Sequence, residues 1–224
     1  MVNVENEADR LCRAASTLGL ELTDGQVHAM LGYVRELSKW NRIYNLTAIR
    51  EPDQMLVQHV FDSLAVVPEM RNKLYKYTVS KVSVLDVGSG AGLPGVILAI
   101  ANPSWSVECL DAVQKKMAFV RQAGAVLKLP NLVATHARVE KITPRNAAVV
   151  VSRAFASLVD FATLAGPHVA PEGHLLAMKG IQPEDEIAAL HQNTPWRVSE
   201  IQTLNVPELS AQRCLVWMHR EGNP

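Results

Sequence analysis

Val82-Ser83-Val84-Leu85-Asp86-Val87-Gly88-Ser89-Gly90-Ala91-Gly92-Leu93-Pro94-Gly95 decides the fold of this chain. Residues 83–86 read as a short apolar strand, the glycines that follow break it, and residues 96–101 resume as an apolar helix. Strand, glycine turn and helix in this order open a βαβ unit. Glycine is required in such a turn because it adopts positive φ and lets the backbone approach a ligand closely. In an open α/β sheet that approach happens beyond the strand ends, where helix N-terminal N–H groups also point.

Working outward, short apolar runs alternate with amphipathic segments, the pattern of a parallel sheet covered by helices. Strands are predicted over 83–86, 106–110, 132–136, 148–152 and 174–178. Two further strand-like runs, 196–204 and 212–219, are joined by too few residues for a crossover helix, so they predict a terminal antiparallel hairpin. Upstream, helices are predicted over 5–18, after the Thr23/Gln26 capping-box pattern, and after Pro52. The expected division is a helical extension over 1–78 and an α/β domain over 79–224. Val27, Met30, Leu31, Val34, Leu37 and Trp40 recur at helical spacing as a core stripe; Trp40 and Tyr44 lie near Lys39 and Arg42, but the core explains them better than base stacking does.

Composition narrows the class. Among 224 residues, 48% are hydrophobic, enough for a packed core. No stretch reaches the roughly 18 apolar residues of a membrane span, and no apolar run follows a basic start, so a cytoplasmic protein is expected. Cys12, Cys109 and Cys214 are widely spaced and read as buried thiols rather than a disulfide or zinc framework. The histidines show no ligand spacing, so no metal is expected. Formal charge is zero, yet residues 35–145 carry 15 basic against 9 acidic side chains, which makes the middle of the chain a candidate polyanion surface. No exposed apolar repeat demands an oligomer, and a monomer is expected.

The glycine loop fits a nucleoside cofactor. Gly90-x-Gly92-x-x-Gly95 also satisfies the dinucleotide fingerprint, which is weak alone. Two features favour S-adenosylmethionine over a nicotinamide: Asp86 before the glycines, placed to meet a cationic amino group, and the antiparallel end of the sheet. Asp111 at the end of the second strand suits vicinal ribose hydroxyls, and Arg138-Val139-Glu140 after the third suits an adenine. Arg153, ending the fourth strand, suits a target-facing donor. His59, Asp62 and Ser63 fall at i, i+3 and i+4 of one predicted helix; a hydrolase triad is disfavoured because no Gly-x-Ser-x-Gly elbow exists. The rival readings are a methyltransferase on another acceptor, an NAD-dependent dehydrogenase and a non-catalytic ribosome-assembly factor.

Several segments together resemble the RsmG (GidB) family of 16S ribosomal RNA guanine-N7 methyltransferases. They are Asn45-Leu46-Thr47, His59-Val60-Phe61-Asp62-Ser63-Leu64, the loop from Leu85 to Gly95, Ser152-Arg153-Ala154-Phe155-Ala156 and Lys179-Gly180. The resemblance implies a class I, Rossmann-like methyltransferase fold and cofactor contacts at Gly88, Leu93, Val139, Glu140 and Arg153, with Asp111 at the ribose. It also implies small-subunit RNA as the partner. Asp86 and Gly90 complete the expected cofactor set. Arg153 is the candidate catalytic residue, and Lys115, Lys116, Arg121 and Lys179 are candidate phosphate contacts.

Overall fold

The computed structural model describes residues 7–75 and 82–222. Seven strands form one sheet: β1 (Ser83–Val87), β2 (Ser106–Asp111), β3 (Leu132–His136), β4 (Ala147–Ser152), β5 (Val169–Lys179), β6 (Trp196–Leu204) and β7 (Arg213–Arg220). Their order is β3-β2-β1-β4-β5-β7-β6. The first five strands pair in parallel, and β7 lies antiparallel between β5 and β6, as the hairpin reading requires. The strand order reverses between β1 and β4, which opens a crevice at their carboxyl ends.

The predicted fifth strand starts too late. β5 begins at Val169, and Pro171-Glu172-Gly173, which look like a turn, lie inside it. Gly173 is there because a Cβ would come within 2.8 Å of the Ala147 and Ala148 carbonyls, beside a register irregularity in β4.

Strand side chains alternate between two cores, the period-2 signature of a sheet buried on both faces. Val84, Val107, Val149, Val151, Leu176 and Trp217 face one core; Leu85, Leu110, Val150, Leu175, Val216 and Met218 face the other. The second core is closed by α8 (Leu158–Ala165) and α9 (Glu184–Asn193), the first by α6 (Gly95–Ala101), α7 (Gln114–Val126) and the N-terminal helices.

Those helices are α1 (Glu7–Thr17), α2 (Asp24–Tyr44), α3 (Pro52–Met55), a π-helical turn (Leu56–Phe61), α4 (Asp62–Leu64) and α5 (Val66–Leu74). The capping box at Thr23 and Gln26 forms as expected. Helix α2 runs to Tyr44 because Asn45 adopts the left-handed conformation, φ 48°, that ends a helix. The prediction of three helices omitted α5, where Pro68 sits in the first turn, a position that tolerates its missing N–H. It also missed the π turn, whose extra residue per turn shifts His59 relative to Asp62. The expected boundary at 78/79 and helix start at 5 lie outside the described residues. Cys12 is exposed rather than buried; Cys109 and Cys214 are buried.

The N-terminal layer is built into the sheet domain. Gln26 donates to the Ile100 and Ala101 carbonyls at 3.0 and 3.1 Å, and Arg71 to Ala101 at 2.8 Å, closing the C-terminus of α6. Gly95, at the other end of α6, has no space for a side chain: a Cβ would lie 2.4 Å from Cys109 Sγ and 2.9 Å from Asp86 Oδ2. Overpacking of this kind costs about 1–3 kcal/mol. Gly95→Ala is therefore expected to lower the midpoint of thermal unfolding by roughly 2–12 °C, at about 2–4 °C per kcal/mol for a chain of this size. An unchanged midpoint in a scanning-calorimetry comparison would contradict this packing.

Candidate active site

The glycine loop is tied down from below and from the side. Gly88 and Ser89 donate to the Leu110 carbonyl at 2.8 and 3.1 Å, and the Tyr33 hydroxyl, from α2, donates to the Ala91 carbonyl at 2.9 Å. Asp111 accepts from the Gly90 N–H through Oδ2 at 2.9 Å and from the Val113 N–H through Oδ1 at 2.8 Å. Each carboxylate oxygen accepts more than one bond, so Asp111 retains capacity toward a ligand while holding the loop.

Beyond the loop lies a cleft of about 240 Å³, lined by Val87, Gly88, Leu110, Asp111, Arg138, Val139, Glu140, Ala154 and Phe155 among others. Gly88 adopts φ 69°, and a Cβ there would come within 2.8 Å of the Ala154 Cβ, so the floor can approach a ligand only with glycine at this position. The turn carrying Val139 and Glu140 is braced from beneath: His168, 2% exposed, places Nε2 3.0 Å from the Val139 carbonyl. Sequence reading gave His168 no role, because nothing in its neighbourhood along the chain points toward that turn. The lining is a mixture of glycine backbone and apolar walls with two carboxylates, Asp111 and Glu140, against one guanidinium, Arg138, which fits a nucleoside better than a polyphosphate.

A second cavity of about 300 Å³ lies on the other side of the β4 end. It is lined by Ile49, Gln58, His59, Asp62, Arg153, Met178, Lys179, Gly180 and Arg213. The scattered motifs of the sequence meet here. Asp62, 1% exposed, accepts from Arg153 Nη1 at 3.0 Å and from Arg213 Nε at 2.8 Å. His59 Nδ1 lies 3.1 Å from its neighbour's carbonyl at Gln58, so that nitrogen carries the hydrogen. Its Nε2 then accepts from the Thr47 hydroxyl at 3.0 Å, and Thr47 in turn accepts from the Ile49 N–H. Asn41 completes the loop by bonding Thr47 and Ile49 at 2.9 Å each. Arg213 was missed because it stands alone at a strand start, and only the β5–β7 register brings it to Asp62.

The sequence-predicted residues divide between these places. Gly88, Asp111, Val139 and Glu140 line the first cleft, with Gly90 bound to Asp111 above it. Arg153 separates the two cavities: Ala154 and Phe155 face the first, its own guanidinium the second. Leu93 packs its side chain into the core under the N-terminal helices, leaving only backbone for a ligand. Asp86 is a correction. Its side chain is fully buried, with Oδ2 accepting from the Gly95 N–H at 2.8 Å, so it shapes the loop and does not reach the cleft wall.

The cations divide too. Lys115 is exposed at the start of α7, and Lys116 Nζ stands 3.8 Å from Asp111 Oδ2. Arg121 lies on a separate groove of about 480 Å³ between α7 and β3. Lys179 is also a correction: its ammonium is 2.8 Å from Glu186 Oε2 and near the Phe155 and Ala156 carbonyls, so it is an internal tie rather than a free phosphate contact. Trp40 packs against Phe119 at 5.7 Å, as a core residue does, whereas Tyr44 is 41% exposed. Among the described residues no three His, Cys, Asp or Glu side chains come together as a metal site requires, and no helix is long and apolar enough to cross a membrane.

Comparison with known proteins decides the family. The family model described as rRNA small subunit methyltransferase G matches residues 26–216. The chain belongs to the rRNA small subunit methyltransferase G family. The protein of that name from Bordetella petrii is 57% identical over 211 residues, 94% of this chain and 82% of its own length. That from Bordetella pertussis is 54% identical, covering 96% and 95%. Among solved structures, a SAM-dependent methyltransferase from Aquifex aeolicus superposes with a TM-score of 0.51 at 15% identity, over 70% of this chain and 96% of its own. That likeness is one of fold, and it gives this member of the methyltransferase G family the class I methyltransferase architecture read from its sequence.

Two buried groups give the site an opposed pH response. Burial pushes Asp86 up to about 7, partly offset by the Gly95 N–H and by Arg153, against 3.8 when solvated. The folded state thus holds a proton that the unfolded chain lacks, and this contribution to stability is present at low pH and lost as pH rises toward about 7. Burial, with Arg153 adding to it, pulls His59 down to about 4 from 6.5, so its contribution is present above about 6.5 and lost as pH falls toward about 4. The two slopes oppose each other across one window. In urea titrations between about pH 4.5 and 7.5, Asp86→Asn is expected to lose stability on acidification more steeply than wild type, and His59→Gln less steeply. Parallel profiles for all three would refute the burial of these charges.

Proposed function

We propose that this chain transfers the methyl group of S-adenosylmethionine to N7 of a guanosine in 16S ribosomal RNA. The observation that carries this reading is the glycine-floored cleft bounded by Gly88, Asp111, Val139 and Glu140, in a chain of the rRNA small subunit methyltransferase G family. In this reading Asp111 accepts the ribose hydroxyls, Val139 and Glu140 meet the adenine, and Gly88 lets the backbone come close. Bound there, the cofactor supplies an electrophilic methyl group on a sulfonium.

Guanine N7 has a free lone pair and no proton to lose, so no general base is required. The protein's work is to hold the base in line and exclude water, an effect that can contribute roughly 7–11 kcal/mol. Arg153, at the divide between the cavities, is placed to orient the acceptor. The exposed Lys115 and Arg121, with Lys116 at the cleft rim, extend the basic surface toward RNA. The reading also makes the protein a cytoplasmic monomer acting on the small subunit or its RNA.

Incubation with methyl-labelled S-adenosylmethionine and small subunits lacking the modification is expected to yield labelled 7-methylguanosine after digestion. Label on another nucleoside would reject the acceptor, and no label would reject the reaction. Arg153→Ala should still fold, because Asp62 keeps Arg213, and should lose about 100-fold in kcat, the scale of a misplaced reactant. Full turnover in that variant would remove Arg153 from the site.

A further inference from the structure

The second cavity holds a pair of guanidiniums gathered on one carboxylate. Arg153 spends one N–H on Asp62, and Arg213 spends one on Asp62 and one on the Gln212 carbonyl at 2.8 Å. A guanidinium has five N–H donors, so most of both forks stay available, and both side chains line the cavity and are 31% and 26% exposed. Lys179 is offset by Glu186. Two guanidiniums against Asp62 leave the cavity with a net single positive charge. Such a site, with its donors fixed before a ligand arrives, suits an anion of matching fork geometry.

We propose that Arg153 and Arg213 form a clamp for a backbone phosphate next to the nucleotide being methylated, with Asp62 as the positioning residue that orients both. This rests on the rRNA-methylation reading above. Chemistry argues for phosphate over the guanine edge. As the N7–carbon bond forms and the carbon–sulfur pair returns to sulfur, positive charge moves onto the purine. A guanidinium donating to O6 would draw density from N7 and oppose that charge. A phosphate held beside the base neutralises the clamp and faces the charge with its own negative oxygens. The shared segment from Arg153 to Phe155 places the clamp next to the cofactor cleft.

The test is RNA affinity against salt, using 16S RNA and the full chain saturated with S-adenosylhomocysteine. Arg213→Gln keeps Asp62 paired through Arg153, so folding is not at stake. It is expected to bind RNA about 10-fold more weakly and to flatten the slope of log K against log[salt] by about 0.7–0.9, the loss of one phosphate contact. Its affinity for S-adenosylhomocysteine should be unchanged. Asp62→Asn keeps both cations and should lower kcat/KM for RNA about 10-fold with the slope undiminished. An unchanged slope in Arg213→Gln overturns the clamp. So does a wild-type preference for guanosine over 2-aminopurine at the target that disappears in Arg213→Gln, because that marks contact with O6. A flattened slope in Arg213→Gln, together with a wild-type protein that labels no RNA, would instead support the clamp while rejecting the methylation reading.

Discussion

Parallel pairing of β1, β2, β4 and β5 is the constraint on which both cavities depend. Parallel strands need crossovers, and crossovers bring every carboxyl end to the same edge of the sheet. Gly88, Asp111, Arg153 and Lys179 follow or end four different strands, yet they come to the same edge of the sheet for that reason, the first two at the glycine-floored cleft and the last two at the neighbouring cavity. The reversal between β1 and β4 parts the helices on the two faces, and the glycine loop occupies the gap. Ser152 then fixes the β4 end against β1, its hydroxyl donating to the Val87 carbonyl at 2.7 Å while accepting from the Ala154 N–H.

The N-terminal helices belong to the site as well as to the core. Tyr33 holds the glycine loop from above, Gln26 and Arg71 close α6, and Asp62 reaches across to β4 and β7. A buried carboxylate paired with two arginines is weak evidence for stability, since desolvation offsets much of the attraction. Its value lies in geometry. Asp62, buried directly after the π turn, brings two flexible arginines onto one carboxylate.

Beside the two cavities the fold also buries groups whose charge it suppresses. Asp86 and His59 lie on the same side of the sheet, both near Arg153, and burial drives each toward its neutral form. Neutral His59 can accept from Thr47 and so hold the loop over the second cavity, whereas a protonated ring could only donate there and would reverse the bond. Arg153 therefore acts as the principal fixed cation where the two cavities meet.

The fold was legible because its signals are local and periodic. The glycine turn, the five apolar runs and the terminal hairpin declare a doubly wound sheet with an antiparallel end, and the motif segments declare the family. Gly88, Asp111, Val139 and Glu140 could be placed because each ends a strand or lies within a few residues of its end. Tertiary structure alone decided the rest. Asp86 reads as a cofactor partner until its burial beneath Gly95 is seen, and Lys179 as a phosphate contact until Glu186 closes on it. Arg213 stands 151 residues from Asp62 and has no motif of its own. Period and turn chemistry act over a few residues and survive in the sequence, but which charge finds which partner depends on strand register and packing, which no local pattern carries.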